Sequence, residues 1–167
     1  MEEYLRKAIL RIGERQNVKI GRSEYCYIPS SEMMLKSFIE FLRKNKIKMD
    51  LVDVGCGTGA FIYLAGLYTK LNATGIEKDP IRTKLGIVSF CPIQTVDVFS
   101  IKTKFRTKKV FYLFNPVVEK ELMSRMLSHV ASIARKGSII VFASTSGEHE
   151  IEGWDKSKFE GLQIFKS

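Results

Sequence analysis

The stretch that most constrains this chain is LVDVGCGTGAF, residues 51–61. An aliphatic run carrying one aspartate leads directly into glycines at 55, 57 and 59, and an apolar helical pattern follows. A near-continuous hydrophobic run of this length suits a parallel strand covered on both faces. The glycines then suit a tight strand-to-helix turn: Gly55 permits the bend, Gly57 keeps a Cβ out of a ligand's path, and Gly59 lets the helix pack close. In open α/β sheets, ligands lie beyond the carboxyl ends of the strands. The N–H groups of such a turn are expected to meet an anionic ligand group.

From residue 50 onward strands and helices alternate. DLVDV, NATGIE, PIQTVDV, KVFYLF and GSIIVFAS read as strands. TGAFIYLAGLYTK, DPIRTKLGI and VVEKELMSRMLSHVASIARK read as helices, and SEMMLKSFIEFLRKN precedes the series with helical spacing, Ser30 acting as its N-cap. HEIEGW and LQIFK are expected to close the chain as an antiparallel hairpin. The fold class is therefore α/β: a Rossmann-like, mostly parallel sheet with helices on both faces and a C-terminal antiparallel hairpin. Residues 2–16 place Tyr4, Leu5, Ala8, Ile9 and Ile12 on one stripe, so residues 1–24 read as an amphipathic helix and linker, and 25–167 as the one domain.

Asp53 narrows the ligand. GCGTGA also satisfies the dinucleotide pattern GxGxxG/A, with Ala60 last. A carboxylate two residues before the first glycine gains nothing from a pyrophosphate, since the charges repel. It is accounted for by a cationic neighbour such as an ammonium or a sulfonium, because an unpaired charge in an apolar strand is costly. A dehydrogenase would also need a substrate domain that 167 residues do not provide.

D-x-G-x-G-x-G after an apolar strand resembles the first motif of class I S-adenosylmethionine-dependent methyltransferases. The resemblance runs over roughly residues 25–145. It implies that Asp53, Gly55, Cys56, Gly57 and Gly59 form the cofactor turn. Glu77, eighteen residues after Gly59, takes the position of the acid that accepts the ribose hydroxyls, with Lys78 beside it. Asp97 takes the position that bonds the adenine amino group, with Val98 next to it, and Asn115 closes the fourth strand at the active-site lip. The same residues have plainer structural readings: Glu77 as a helix-start acid, Asp97 as a turn residue.

The acceptor is read from two further resemblances. Asn115-Pro116 is similar to the start of the N/D-P-P-aromatic motif of amino-directed nucleic-acid methyltransferases, but this chain continues N-P-V-V and lacks the ring that stacks on a flipped base. YCYIPSSE is similar to the Y-x-P-[ST] segment of short archaeal protein-lysine methyltransferases, and EHEIEGWD to their E-x-x-G-W ending. That likeness implies that Tyr27 and the Ser30/Ser31 turn close over the cofactor, with Tyr27 and Asn115 serving catalysis and Trp154 lining the channel. Tyr25, Tyr27 and Trp154 read equally as core residues. The expected acceptor is protein lysine, ahead of RNA or DNA, with a small molecule third; a non-catalytic cofactor- or nucleic-acid-binding module is the alternative.

Net charge is +9, partly concentrated in IKTKFRTKKV, where Lys102, Lys104, Arg106, Lys108 and Lys109 meet no acid. This suits an acidic partner, including nucleic acid, or simply a solvated loop. Three cysteines without a CxxC pair and two histidines argue against a metal site. The N-terminus lacks the apolar centre of a signal peptide and no apolar run reaches the roughly 18 residues a membrane span needs, so a cytoplasmic protein of a reducing compartment is expected.

Overall fold

In a computed structural model, residues 32–85, 91–117, 119–143 and 147–167 are described. The expected N-terminal helix, Tyr27 and the Ser30/Ser31 turn lie outside them. The first described element is helix α1 (Glu32–Lys44), followed by β1 (Asp50–Val54), α2 (Ala60–Thr69), β2 (Ala73–Glu77), α3 (Pro80–Leu85) and β3 (Ile93–Thr95). A 3-10 turn at Val98–Ser100 leads to β4 (Lys109–Phe114), α4 (Lys120–Ile133), β5 (Ile139–Ala143), β6 (Asp155–Phe159) and β7 (Leu162–Lys166). The seven strands lie in the order β3-β2-β1-β4-β5-β7-β6. The first five are parallel, and β7 runs antiparallel to both β5 and β6.

The alternation of side chains along each strand sorts them onto two cores. Leu51, Val110, Tyr112, Ile139 and Val141 face α1 and α2, where Phe38, Leu42, Ile62 and Leu64 cover them. Val52, Val54, Phe111, Leu113, Ile140 and Phe142 face α4. That helix answers with Met123, Met126, Leu127, Val130 and Ile133, the 3–4 spacing of a single apolar stripe. Both faces of the central strands are thus dry, which explains why β5 is buried at all five positions. No helix of the described residues is long and apolar enough to cross a membrane.

Two expected boundaries move. PIQTVDV pairs only over Ile93–Thr95; Asp97 caps the 3-10 turn instead, its carboxylate accepting the Phe99 N–H at 2.9 Å. The hairpin's first arm is DKSKF rather than HEIEGW. Residues 147–154 cross from one end of the sheet to the other, because Gln163, against which His149 lies, pairs with Phe142 near the end of β5, whereas Asp155 stands at the end where β5 begins.

Candidate functional site

The chain leaves β1 toward β2 and β3, then returns to place β4 on the opposite side of β1. Such a reversal opens a crevice beyond the strand ends. A cavity of about 340 Å³ occupies it, within the size range of small-molecule sites. Asp53, Gly55, Cys56, Glu77, Lys78 and Asp97 line it, together with Val98 and Asn115. Eight of the residues singled out in the sequence therefore converge from the ends of four strands. Gly57 and Gly59 are not lining residues; they build the turn behind it. Tyr27 falls outside the described residues.

Gly55 and Gly59 show why the turn needs glycine. Gly55 has φ +78°, and a Cβ there would stand 2.6 Å from Cβ of Pro116. The bend at the end of β1 thus locks against the end of β4 and sets Asn115 beside the turn. Gly59, the left-handed cap of α2 (φ +77°), comes as close to the Ile93 side chain of β3. Its tight contact is with the far strand, not with β1 as expected.

The turn's amides correct a further expectation. Gly55 and Cys56 N–H both donate to the Ile76 carbonyl, at 2.8 and 3.1 Å, and Gly59 N–H donates to the Cys56 carbonyl. Gly57 N–H donates to Oε2 of Glu77 at 2.9 Å. These donors are occupied by the protein's own acceptors, so the turn offers little to a pyrophosphate. What it fixes is a carboxylate: Glu77 is buried and also accepts the Asp79 N–H through Oε1 at 2.9 Å. Each oxygen holds a second lone pair for a ligand hydroxyl.

Asp53 is the unusual group. Its backbone lies between Gly75 of β2 and Tyr112 of β4, and its side chain is buried while lining the cavity. Tyr112 stacks on Phe61 with ring centroids 4.1 Å apart. Burial in this apolar setting, aggravated by the Glu77 carboxylate, pushes the Asp53 carboxyl up to about 8. Cys56, whose sulfur fills the space over Gly75, is also raised, by burial and then by Asp53 and Glu77. It therefore stays a neutral thiol and is no nucleophile.

Sequence reasoning missed the rest of the wall. Leu122, Arg125 and Met126 line the cavity from the first turns of α4, and Phe61, Phe114 and Val117 complete its apolar surface. The 3–4 spacing on α4 was readable, but not which turn would overhang the site. Asn115 has a left-handed φ of 35° just before Pro116, an uncommon conformation that asparagine tolerates best among non-glycine residues and that clusters at functional sites. Trp154 is a correction: it precedes β6 at the opposite end of the sheet, packs on the α4-side core and does not line the cavity. Lys104, Arg106, Lys108 and Lys109 likewise lie toward the end where β4 begins and do not line the cavity, whereas Lys102 reaches back to donate to the carbonyl of the cavity-lining Phe99 at 2.8 Å. Among the described residues no group of histidine, cysteine and acidic side chains could hold a metal ion.

No protein-family model matches the chain, and no curated protein is detectably similar in sequence. Solved structures do match. The magnesium protoporphyrin IX methyltransferase of Synechocystis PCC 6803 with S-adenosylmethionine bound superposes with a TM-score of 0.59 at 14% identity, over 99% of this chain and 96% of that one. An RNA methyltransferase from Salinibacter ruber in complex with S-adenosyl-L-homocysteine gives 0.56 at 16% identity, over 83% and 91%. The sugar N-methyltransferase KedS8 from Streptoalloteichus sp ATCC 53650 gives 0.53 at 16%, over 80% and 59%. At such identities the common property is architecture: this chain has the Rossmann-like fold on which these methyltransferases are built.

Proposed function

We propose that the chain is an S-adenosylmethionine-dependent methyltransferase acting on a macromolecular acceptor, protein lysine first. The observation that carries the cofactor reading is Asp53: a buried carboxylate lining a cavity whose turn commits the Gly55, Cys56, Gly57 and Gly59 amides to internal acceptors. A cationic ligand relieves that carboxylate; a pyrophosphate would not. The remaining residues fit the same group. Glu77 has lone pairs for ribose hydroxyls, Asp97 keeps its second oxygen for an exocyclic amino group, and Val98 with Ile76 supplies apolar walls.

The bound cofactor supplies an electrophilic methyl group on a sulfonium. This chain's residues orient the acceptor and shape its surroundings. The Asn115 carboxamide at the end of β4 can accept a hydrogen bond from an incoming amine. Phe114, Val117, Leu122 and Met126 give that position apolar walls, which disfavour an ammonium and so favour the neutral, nucleophilic lysine amine. Tyr27, on the Y-x-P-S segment, is proposed to close the site. Trp154 has no part in it. Holding the amine near the methyl, in line, is the principal contribution such a site makes.

A nucleic-acid amino group is the second reading, favoured by the same Asn115-Pro116 step and by the RNA acceptor named for the Salinibacter neighbour. Labelled methyl transfer to cell extract separates the two. Label removed by protease but not by nuclease supports protein. Label removed by nuclease alone refutes the first choice. Cofactor uptake without any transfer assigns the chain to a binding module.

A further inference from the structure

We propose that the end of the sheet opposite the cavity is a nucleic-acid-binding face. Strands β1, β4 and β5 are neighbours, and a basic loop leads into each. Lys46 and Lys48 precede β1, Lys104, Arg106 and Lys108 precede β4, and Arg135 and Lys136 precede β5; Lys102 is left out because it donates to the Phe99 carbonyl on the cavity wall. All are exposed. Three adjacent strands span about 10 Å, close to the Debye length of about 8 Å at physiological salt, so these charges act on a polyanion together.

The acid nearest these loops is already matched. Asp50 is paired with Lys109 at 2.5 Å, which removes Lys109 from the face, and the exposed Asp155 stands on the outermost strand, two strands away from β5. The longest loop is also held in shape. Phe105 N–H donates to the Ile133 carbonyl at 2.8 Å, Arg135 donates to the Arg106 carbonyl at 2.8 Å, and the Phe105 ring meets Phe111 edge-on. The Lys108 side chain lies across Gly137. Cations presented on a fixed frame lose less entropy on binding than those on a loose tail.

Phosphate is the partner these loops fit. They carry no exposed large apolar residue to enter a membrane and no exposed ring to stack a base. Binding should therefore follow counterion release, be strongly salt-dependent and be indifferent to base sequence. The face would anchor the protein on nucleic acid while the cavity at the far end stays open, and it stands independently of the methyltransferase reading.

The test uses the full chain and fluorescent 20-nucleotide RNA, DNA and their duplexes, titrated between about 50 and 200 mM salt. The combined variant Lys104→Gln, Arg106→Gln, Lys108→Gln and Lys136→Gln is compared with Lys36→Gln, Lys84→Gln, Lys120→Gln and Lys158→Gln, which removes equal charge elsewhere. Circular dichroism confirms that both are folded. The first variant should lose at least about thirtyfold in affinity and flatten the log–log salt slope by about three; the second should lose less than about threefold. Preference for RNA or for DNA names the source and supports the proposal either way. Equal losses in the two variants overturn it. So does an absence of nucleic-acid binding at the lower salt, or binding only to phosphatidylserine vesicles or polyglutamate. Cofactor affinity measured on the same samples keeps this outcome separate from that of the cavity.

Discussion

When ionised, Asp53 weakens the fold, because its carboxylate is buried beside that of Glu77. An unfolded aspartate titrates near 3.8, and the folded one near 8. Between those values the unfolded chain has released a proton that the native chain retains. The contribution of Asp53 to stability is therefore fully present below the lower value and lost as pH rises through the upper one. Asp53→Asn, which cannot ionise, should melt higher than the wild type by a margin that opens above about pH 4, widens as pH rises and levels off above about 8, as read by thermal denaturation at a series of pH values. The same change should weaken S-adenosylmethionine binding more than tenfold. Glu77→Ala should also weaken it more than tenfold, and by removing the acceptor for Gly57 N–H should destabilise the protein by about 1 kcal/mol. Asn115→Ala is expected to cut methyl transfer at least tenfold while changing cofactor affinity less, a split that steady-state kinetics beside calorimetry would reveal.

The elements that position these residues were legible where two signals agreed. β4 matches its sequence reading at both ends, because KVFYLF is both apolar and rich in strand formers. β3 was over-read: TVDV has strand propensity, yet the Asp97 carboxylate offers the Phe99 N–H a local partner and the chain turns. The final hairpin was misregistered because HEIEGW is more apolar than DKSKF. The true first arm, on the sheet edge, carries charges that shield it, as edge strands commonly do. The glycine turn was recognised but its amides were misassigned, since nothing in the sequence says that Ile76 and Glu77 would claim them. Gly55→Ala tests that turn. A left-handed φ and a 2.6 Å approach to Pro116 should make it cost about 1–3 kcal/mol, visible as a lower urea midpoint. Unchanged stability would mean that β1 and β4 are not locked there.

For the whole molecule, the mostly parallel sheet with helices on both faces followed from alternation and period, whereas the strand order and the choice of acceptor did not. Acceptors are selected at the lip by residues from different elements, and the Synechocystis, Salinibacter and Streptoalloteichus neighbours bear names with three different acceptors on one architecture. The division of labour proposed here, with a ligand cavity at one end of the sheet and a basic face at the other, rests on strand direction alone and required the topology. The claim underlying it is that the cavity takes a cationic cofactor on Asp53. Calorimetric titration of wild type and Asp53→Asn with S-adenosylmethionine from pH 6 to 9 addresses it directly. A cation can pair only with the ionised carboxylate, so wild-type affinity should rise by up to tenfold per pH unit and level off near 8 once the ligand's own ionisation is subtracted. The variant should bind more than tenfold more weakly with no such slope. Equal affinity in the two proteins, or binding of NAD in place of the sulfonium compound, would contradict the account.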